Sequence, residues 1–250
     1  GGAVHLLHHD PAEHPVALQL GGSDPSELAQ AARLGWDAGY PEVNLNCGCP
    51  SDRVQSGYFG AVLMERPALV AEICAAMIAA SPAEVTVKCR IGVDAQDPAE
   101  ILPRFLGAIQ DAGVRRVTIH ARKAWLQGLS PKENRDIPPL DYALVTAMKA
   151  RFPDLHISLN GGVEDLETVL ALLGTGLDGV MVGRAAYQRP WDILAEADAF
   201  AGLGLTRRQA LWEAKALTAA APLPLFALDM DGEGIVEPAA HLPQMSLGEE

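Results

Sequence analysis

Positive charge is in short supply in this sequence. Lys and Arg number 19 against 32 Asp and Glu over 250 residues, a formal net charge of −13. So acidic a chain repels polyanions at long range, which excludes a global electrostatic footprint for nucleic acid and leaves only a local basic patch as a route to such a partner. Aromatic residues are sparse, at 5%. No apolar run reaches the roughly 18–20 uncharged residues that a membrane-spanning helix needs. The opening residues, Gly1-Gly2-Ala3-Val4-His5, carry neither a basic leader nor an initiator Met and read as neither a signal peptide nor a natural start. Membrane and secreted classes are not expected, and the expected location is the cytoplasm. The four cysteines, Cys47, Cys49, Cys74 and Cys89, form no C-x-x-C pair and have no accompanying His spacing. No zinc or other metal site is expected, and reduced thiols are. No Walker-type signature occurs.

What the sequence does have is apolar matter for one large core: 49% hydrophobic residues and only 20% charged, with 24 Gly and 18 Pro. Short apolar runs alternate with longer helical stretches. The strand-like runs are 16–20, 42–46, 85–89, 117–120, 155–159 and 179–182. Helices are expected at about 24–38, opened by Asp24-Pro25, at 66–80, from Asp97-Pro98 onward, and around 142–151. Strands separated by helices predict parallel β/α winding. Polar residues and glycines cluster where each strand ends, as in a TIM (β/α)8 barrel, whose active site sits at the C-terminal face of the strands. About six of eight β/α units are visible, with the first two strands expected to be missing. A barrel is expected over 1–200. Beyond Trp191 ten acidic residues stand against three basic ones, and 201–250 reads as a degenerate helical remnant or a disordered tail.

Three groups of residues carry chemistry. Asn44-Leu45-Asn46-Cys47-Gly48-Cys49-Pro50 places the Cys49 thiol on a tight turn just past a strand end, over the barrel mouth. Cys47, Cys74 and Cys89 read as structural filler. Lys88, His120 and Gln19 end apolar strands and make an inward polar ring able to hydrogen-bond a planar, electron-rich cofactor. Asn160-Gly161-Gly162 and Gly183-Arg184, on the last two strands, suit a terminal phosphate. The segment 121–135 is the one basic, aromatic-containing stretch, with Arg122, Lys123, Lys132 and Arg135 against Glu133. It follows the His120 strand and would serve a polyanionic substrate as a local clamp.

Together these segments resemble the tRNA-dihydrouridine synthases, most closely the DusA-type subfamily. The matching text is Asn46-Cys47-Gly48-Cys49-Pro50-Ser51-Asp52-Arg53, Val87-Lys88-Cys89-Arg90-Ile91-Gly92, His120-Ala121-Arg122-Lys123-Ala124-Trp125, Leu129-Ser130-Pro131-Lys132-Glu133-Asn134-Arg135, Asn160-Gly161-Gly162 and Gly183-Arg184. The resemblance implies an FMN enzyme that uses NADPH to reduce a uridine at positions 20 and 20a of the tRNA D-loop to dihydrouridine. By the same resemblance, Cys49 is the general acid that protonates C5 while hydride reaches C6. Gln19, Lys88 and His120 contact the flavin ring or its ribityl chain. Asn160, Gly161, Gly162, Gly183 and Arg184 hold the phosphate, and Asn46, Lys132 and Arg135 engage tRNA. A monomer is expected. Three departures stand out: nothing matches the family's first two strands, Cys47 stands where an aliphatic residue is usual, and the acidic tail is unlike the family's helical tRNA-binding domain. Weakened flavin retention and tRNA affinity follow as expectations. The alternatives are an inactive truncated remnant that binds FMN poorly, and an FMN barrel acting on a free pyrimidine or an enone.

Overall fold

The four central strands of the sheet alternate apolar residues with polar ones, and that two-residue period decides which side faces which layer. Val43, Leu45 and Cys47, Val85, Val87 and Cys89, Val117 and Ile119, Ile157 and Leu159 are almost wholly buried between sheet and helices. Their alternate neighbours Asn44, Asn46, Thr86, Lys88, Thr118, His120, Ser158 and Asn160 are polar and point to the opposite face. The computed structural model describes residues 7–51, 58–190 and 193. The strands are β1 (Ala17–Leu20), β2 (Glu42–Cys47), β3 (Glu84–Arg90), β4 (Arg116–His120), β5 (His156–Asn160) and β6 (Gly179–Met181). They pair in parallel in the sequential order β1-β2-β3-β4-β5-β6. Sequential parallel order is the winding of a TIM barrel, not of a doubly wound sheet, where the order reverses at a switch point. Among the described residues the sheet is open, with β1 and β6 at its edges.

The crossovers are α1 (Pro25–Asp37), α2 (Pro67–Ala80), α3 (Pro98–Asp111), α4 (Glu133–Asp136) followed by α5 (Tyr142–Arg151), and α6 (Leu166–Leu173); α7 (Arg184–Gln188) follows β6. Helix starts follow from local chemistry. Asp24, Asp97, Asp141 and Asp165 each accept a backbone N–H from the first turn, at 2.7–2.9 Å, and Pro25, Pro67 and Pro98 stand where no N–H is needed. The apolar face of α3, Leu102, Phe105, Leu106 and Ile109, is fully buried, and α2 packs between α1 and α3. Strand and helix bounds agree with the sequence expectation to within a residue or two. Two short elements do not follow from periodicity. A 3-10 helix spans Gly60–Glu65. α4 lies inside the long stretch after β4, capped by a reciprocal Ser130–Glu133 box in which Ser130 N–H and Oγ–H both donate to Glu133 Oε2, at 2.8 and 2.7 Å. The expected domain boundary near 200, the tail 201–250 and the Asp52-Arg53 part of the cysteine motif lie outside the described residues.

The N-terminal ends of the strands are closed by ion pairs. Arg116 reaches Glu84 at 2.9 Å and Glu42 at 3.6 Å. In barrels this end serves stability, and chemistry gathers at the other. The glycine pattern Gly174-Thr175-Gly176-Leu177-Asp178-Gly179 has the dinucleotide spacing, but it runs from α6 into β6. A dinucleotide fingerprint must follow a strand and open a helix.

Candidate active site

The C-terminal ends of β4, β5 and β6 surround a cavity of about 210 Å³. His120, Asn160, Gly161, Gly162, Gly183 and Arg184 line it together, so all the residues expected to hold a phosphate fall in one place. Arg135, expected on tRNA, lines it too. Backbone conformation explains the glycines. Gly161 sits at φ +110° and a Cβ there would lie 2.4 Å from His120 Cδ2; Gly162 sits at φ +69° with Leu140 Cδ1 at 2.6 Å. At Gly183 an added Cβ would meet open space. Tyr142 Oη–H donates to the Gly161 carbonyl at 2.6 Å, and Asn160 Nδ2 donates to the Met181 carbonyl at 3.0 Å, tying β5 to β6. Arg184 forms a half-exposed ion pair of 2.9 Å with Asp136 of α4.

The charge around this cavity is positive although the chain is acidic. Burial pushes the His120 imidazole well below its usual range, and the charges of Arg90, Lys88, Arg122 and Arg184 push it in the same direction. His120 is therefore neutral, with one ring nitrogen able to donate and the other to accept. A side-chain-free cradle of two positive-φ glycines in a cavity that Arg135, Arg184 and Arg189 also line has the chemistry of a site for a phosphate dianion.

Lys88 does not end its strand, as the sequence suggested. β3 continues two residues further, and Arg90 takes the terminal position, in register with His120. Arg90 is 2% exposed and was missed. The signal was available, since it is the next inward-facing position after Lys88.

The Cys49 turn follows β2, which β3 separates from β4. Asn46 Oδ1 accepts the N–H groups of Gly48 and Cys49 at 2.9 and 3.0 Å. The Cys49 carbonyl accepts from Ala61 N–H at 2.8 Å, the Gly48 carbonyl accepts from Arg90 Nε at 3.2 Å, and Cys49 Sγ lies 3.5 Å from Ser51 Oγ. Cys49 is buried but does not line the cavity. Asn46, expected on tRNA, is committed within the protein. Its Nδ2 donates to Gln19 Oε1 at 3.2 Å, Gln19 Nε2 to Asn44 Oδ1 at 3.0 Å, Asn44 Nδ2 to Thr86 Oγ1 at 2.8 Å, and Thr86 Oγ1–H to Glu42 Oε1 at 2.6 Å. Every bond in this line donates in the same direction, from the Cys49 turn to the Glu42 carboxyl. The other three thiols belong to the opposite layer. Burial holds Cys47 well above its ordinary range and pushes Cys74 and Cys89 up to about 12.

The basic stretch after β4 is a smaller clamp than its composition implied. Arg122 donates to the carbonyls of Asp136 and Pro138, and Lys123 Nζ to those of Asp94 and Gln96 while lying 5.3 Å from the Trp125 ring centre. Lys132 is exposed, whereas Arg135 is half-buried and lines the cavity. Asn134 between them is wholly buried and was also missed. Its Oδ1 accepts from Trp125 N–H at 2.7 Å, and its Nδ2 donates to the carbonyls of Trp125, Leu129 and Ser130. Among the described residues no cluster of three or more His, Cys, Asp or Glu side chains could hold a metal ion, and no helix is long and apolar enough to cross a membrane.

A singly wound parallel β/α sheet with a glycine-lined cavity at the C-terminal ends of its last strands has the architecture of the TIM-barrel class. The family model described as dihydrouridine synthase (Dus) matches residues 3–221, and the chain belongs to that family. Similar curated proteins are tRNA-dihydrouridine(20/20a) synthases. The one from Xanthomonas axonopodis pv. citri is 54% identical over 191 residues, 76% of this chain and 57% of the relative. The one from Vibrio cholerae is 56% identical over 194 residues (77% and 59%), and that from Shewanella oneidensis 57% over 192 residues (77% and 57%). The chain thus spans less than two thirds of the length of the relatives it matches.

Proposed function

We propose that this chain carries the reductive centre of a tRNA-dihydrouridine synthase, adding hydrogen across the C5–C6 double bond of a D-loop uridine at positions 20 and 20a. The balanced reaction is uridine + NADPH + H⁺ → dihydrouridine + NADP⁺. The observation that carries the reading is the joint geometry of two features. His120 lines one cavity with the Gly161-Gly162 cradle and the arginines Arg135, Arg184 and Arg189, and the Cys49 turn is tied by Arg90 to the β3 end that stands in register with His120.

When bound, FMN supplies the redox chemistry, a hydride taken from NADPH and delivered to C6 of the uracil. Asn160, Gly161, Gly162, Gly183 and Arg184 would hold its phosphate, and Gln19, Lys88 and His120 would face its ring and ribityl chain. Cys49 gives the proton to C5, on the ring face opposite the hydride, where enolate-like charge builds. Lys132 and Arg135 meet tRNA phosphates, and Asn46 orients the turn from which the proton comes. The target base must leave its stack to enter, as in other base-modifying enzymes. The protein acts in the cytoplasm as a monomer.

The test uses the full chain. Purified and desalted, it retains flavin absorbance near one equivalent, and with NADPH it forms dihydrouridine in unmodified tRNA but leaves free uracil untouched. Cys49→Ala keeps the flavin and loses product formation by about 10²–10⁴-fold, the usual share of a general acid. A fully active Cys49→Ala removes the proton-donor role, and a folded chain without flavin points to a non-catalytic remnant.

A further inference from the structure

Within the proposed reaction, the proton donor stands on a turn that needs holding, and the structure shows what holds it. Arg90 Nε donates to the Gly48 carbonyl at 3.2 Å, one residue before Cys49. From the same guanidinium, Nη1 donates to the Asn134 carbonyl at 2.8 Å and the Lys123 carbonyl at 3.4 Å. One rigid, planar group therefore bridges the cysteine turn after β2 and the basic segment after β4, elements that share no strand pairing. Asn134 fixes the far end, because its side chain laces Trp125, Leu129 and Ser130 into the loop that presents the Asn134 carbonyl. Lys132 and Arg135 flank it in the chain. Both bridging residues are buried, Arg90 at 2% and Asn134 at 0% exposure.

We infer that Arg90, seated on Asn134, is a positioning residue that sets the Cys49 turn against the loop bearing Lys132 and Arg135. The inference rests on the function proposed above for the direction of its kinetic effect, though not for its geometry. The point of contact with tRNA and the point of proton delivery thereby become parts of one braced unit. Arg is required over Lys, because the bridge uses two separate nitrogens of one rigid plane, Nε on one side and Nη1 on the other, and an ammonium has a single nitrogen.

Arg90→Lys and Asn134→Ala are prepared in the full chain, together with the double variant. Arg90→Lys lowers kcat for dihydrouridine by about 10–100-fold, the scale of an ångström of misplacement, with KM for tRNA unchanged and flavin content retained. Asn134→Ala lowers kcat and raises KM, since it also frees Lys132 and Arg135. In the double variant the kcat losses do not multiply, because the residues act as one unit. A second readout needs no activity: the rate at which iodoacetamide labels Cys49, followed by the mass of its peptide, rises in both single variants as the turn opens locally. Wild-type kcat together with a wild-type labelling rate in Arg90→Lys overturns the inference, and so does full multiplication of the two kcat losses. If the unaltered chain makes no dihydrouridine, the functional reading fails, and the labelling rates alone decide for or against Arg90: a faster rate supports it, an unchanged one overturns it.

Discussion

Acidification offers a direct measure of what burial and the nearby cations together do to His120. An imidazole in the unfolded chain takes up its proton near 6.5, whereas folded His120 is held well below that value, first by burial and then by Arg90, Lys88, Arg122 and Arg184. Between those two values the unfolded chain binds one more proton than the folded one, so stability falls as pH falls through the window. One unit below 6.5 the loss from this single group is about 1.4 kcal/mol, and one unit above it is close to zero. The perturbation is His120→Gln, which cannot titrate. Urea unfolding of both proteins at pH 7.5 and 5.5 yields four free energies. The wild type should lose about 1.4 kcal/mol more than the variant across that interval, with every other group cancelling in the difference. Equal losses in the two proteins would refute the reasoning, because His120 would then protonate as readily in the fold as out of it.

Other perturbations follow from the same geometry. Gly161→Ala forces a side chain into positive φ and against the His120 ring, so it should destabilise by roughly 1–3 kcal/mol in urea unfolding and abolish any stabilisation by added inorganic phosphate. Thr86→Val removes a hydroxyl that is 2% exposed, leaving Asn44 without its acceptor and Glu42 without its donor. That should cost about 1–3 kcal/mol at pH 7.5, with Asn46→Ala as the comparison that breaks the same line at its other end.

The sheet was readable from sequence because the two-residue period is written twice in the four central strands, once in apolar residues and once in polar ones. Parallel barrel strands are ordinarily buried on both faces and read as nearly continuous apolar runs. Here the polar inner face made strand and register unambiguous. The glycine-rich strand ends were legible for the same reason, since His120, Asn160 and Gly183 are each reached by counting to the end of a run. Arg90 escaped because the third run was ended at Cys89, one residue early. The basic stretch was overcounted for a different reason. The carbonyls that take up Lys123 belong to Asp94 and Gln96, nearly thirty positions back in the chain, and Asp136, which pairs with Arg184, lies just past the stretch that was counted. Such acceptors are fixed by tertiary packing and leave no mark in local composition. α4 could have been found from Ser130-Pro131-Lys132-Glu133, a capping box ahead of a helix only one turn long.

The one-way line from the Cys49 turn to Glu42 has a consequence for the amides within it. A carboxamide can be turned end for end with little change of shape, so three in a row would ordinarily have two arrangements, each the mirror sense of the other. Here one terminus tolerates no reversal, because main-chain N–H groups can only give, and the Glu42 carboxyl at the other end also pairs with Arg116. Gln19, Asn44 and Asn46 are thereby locked like dominoes leaning on a fixed post. Each keeps its second amide hydrogen in hand, and that flank of the lumen is dressed with hydrogen-bond givers, a surface suited to the oxygen and nitrogen edge of a heteroaromatic ring.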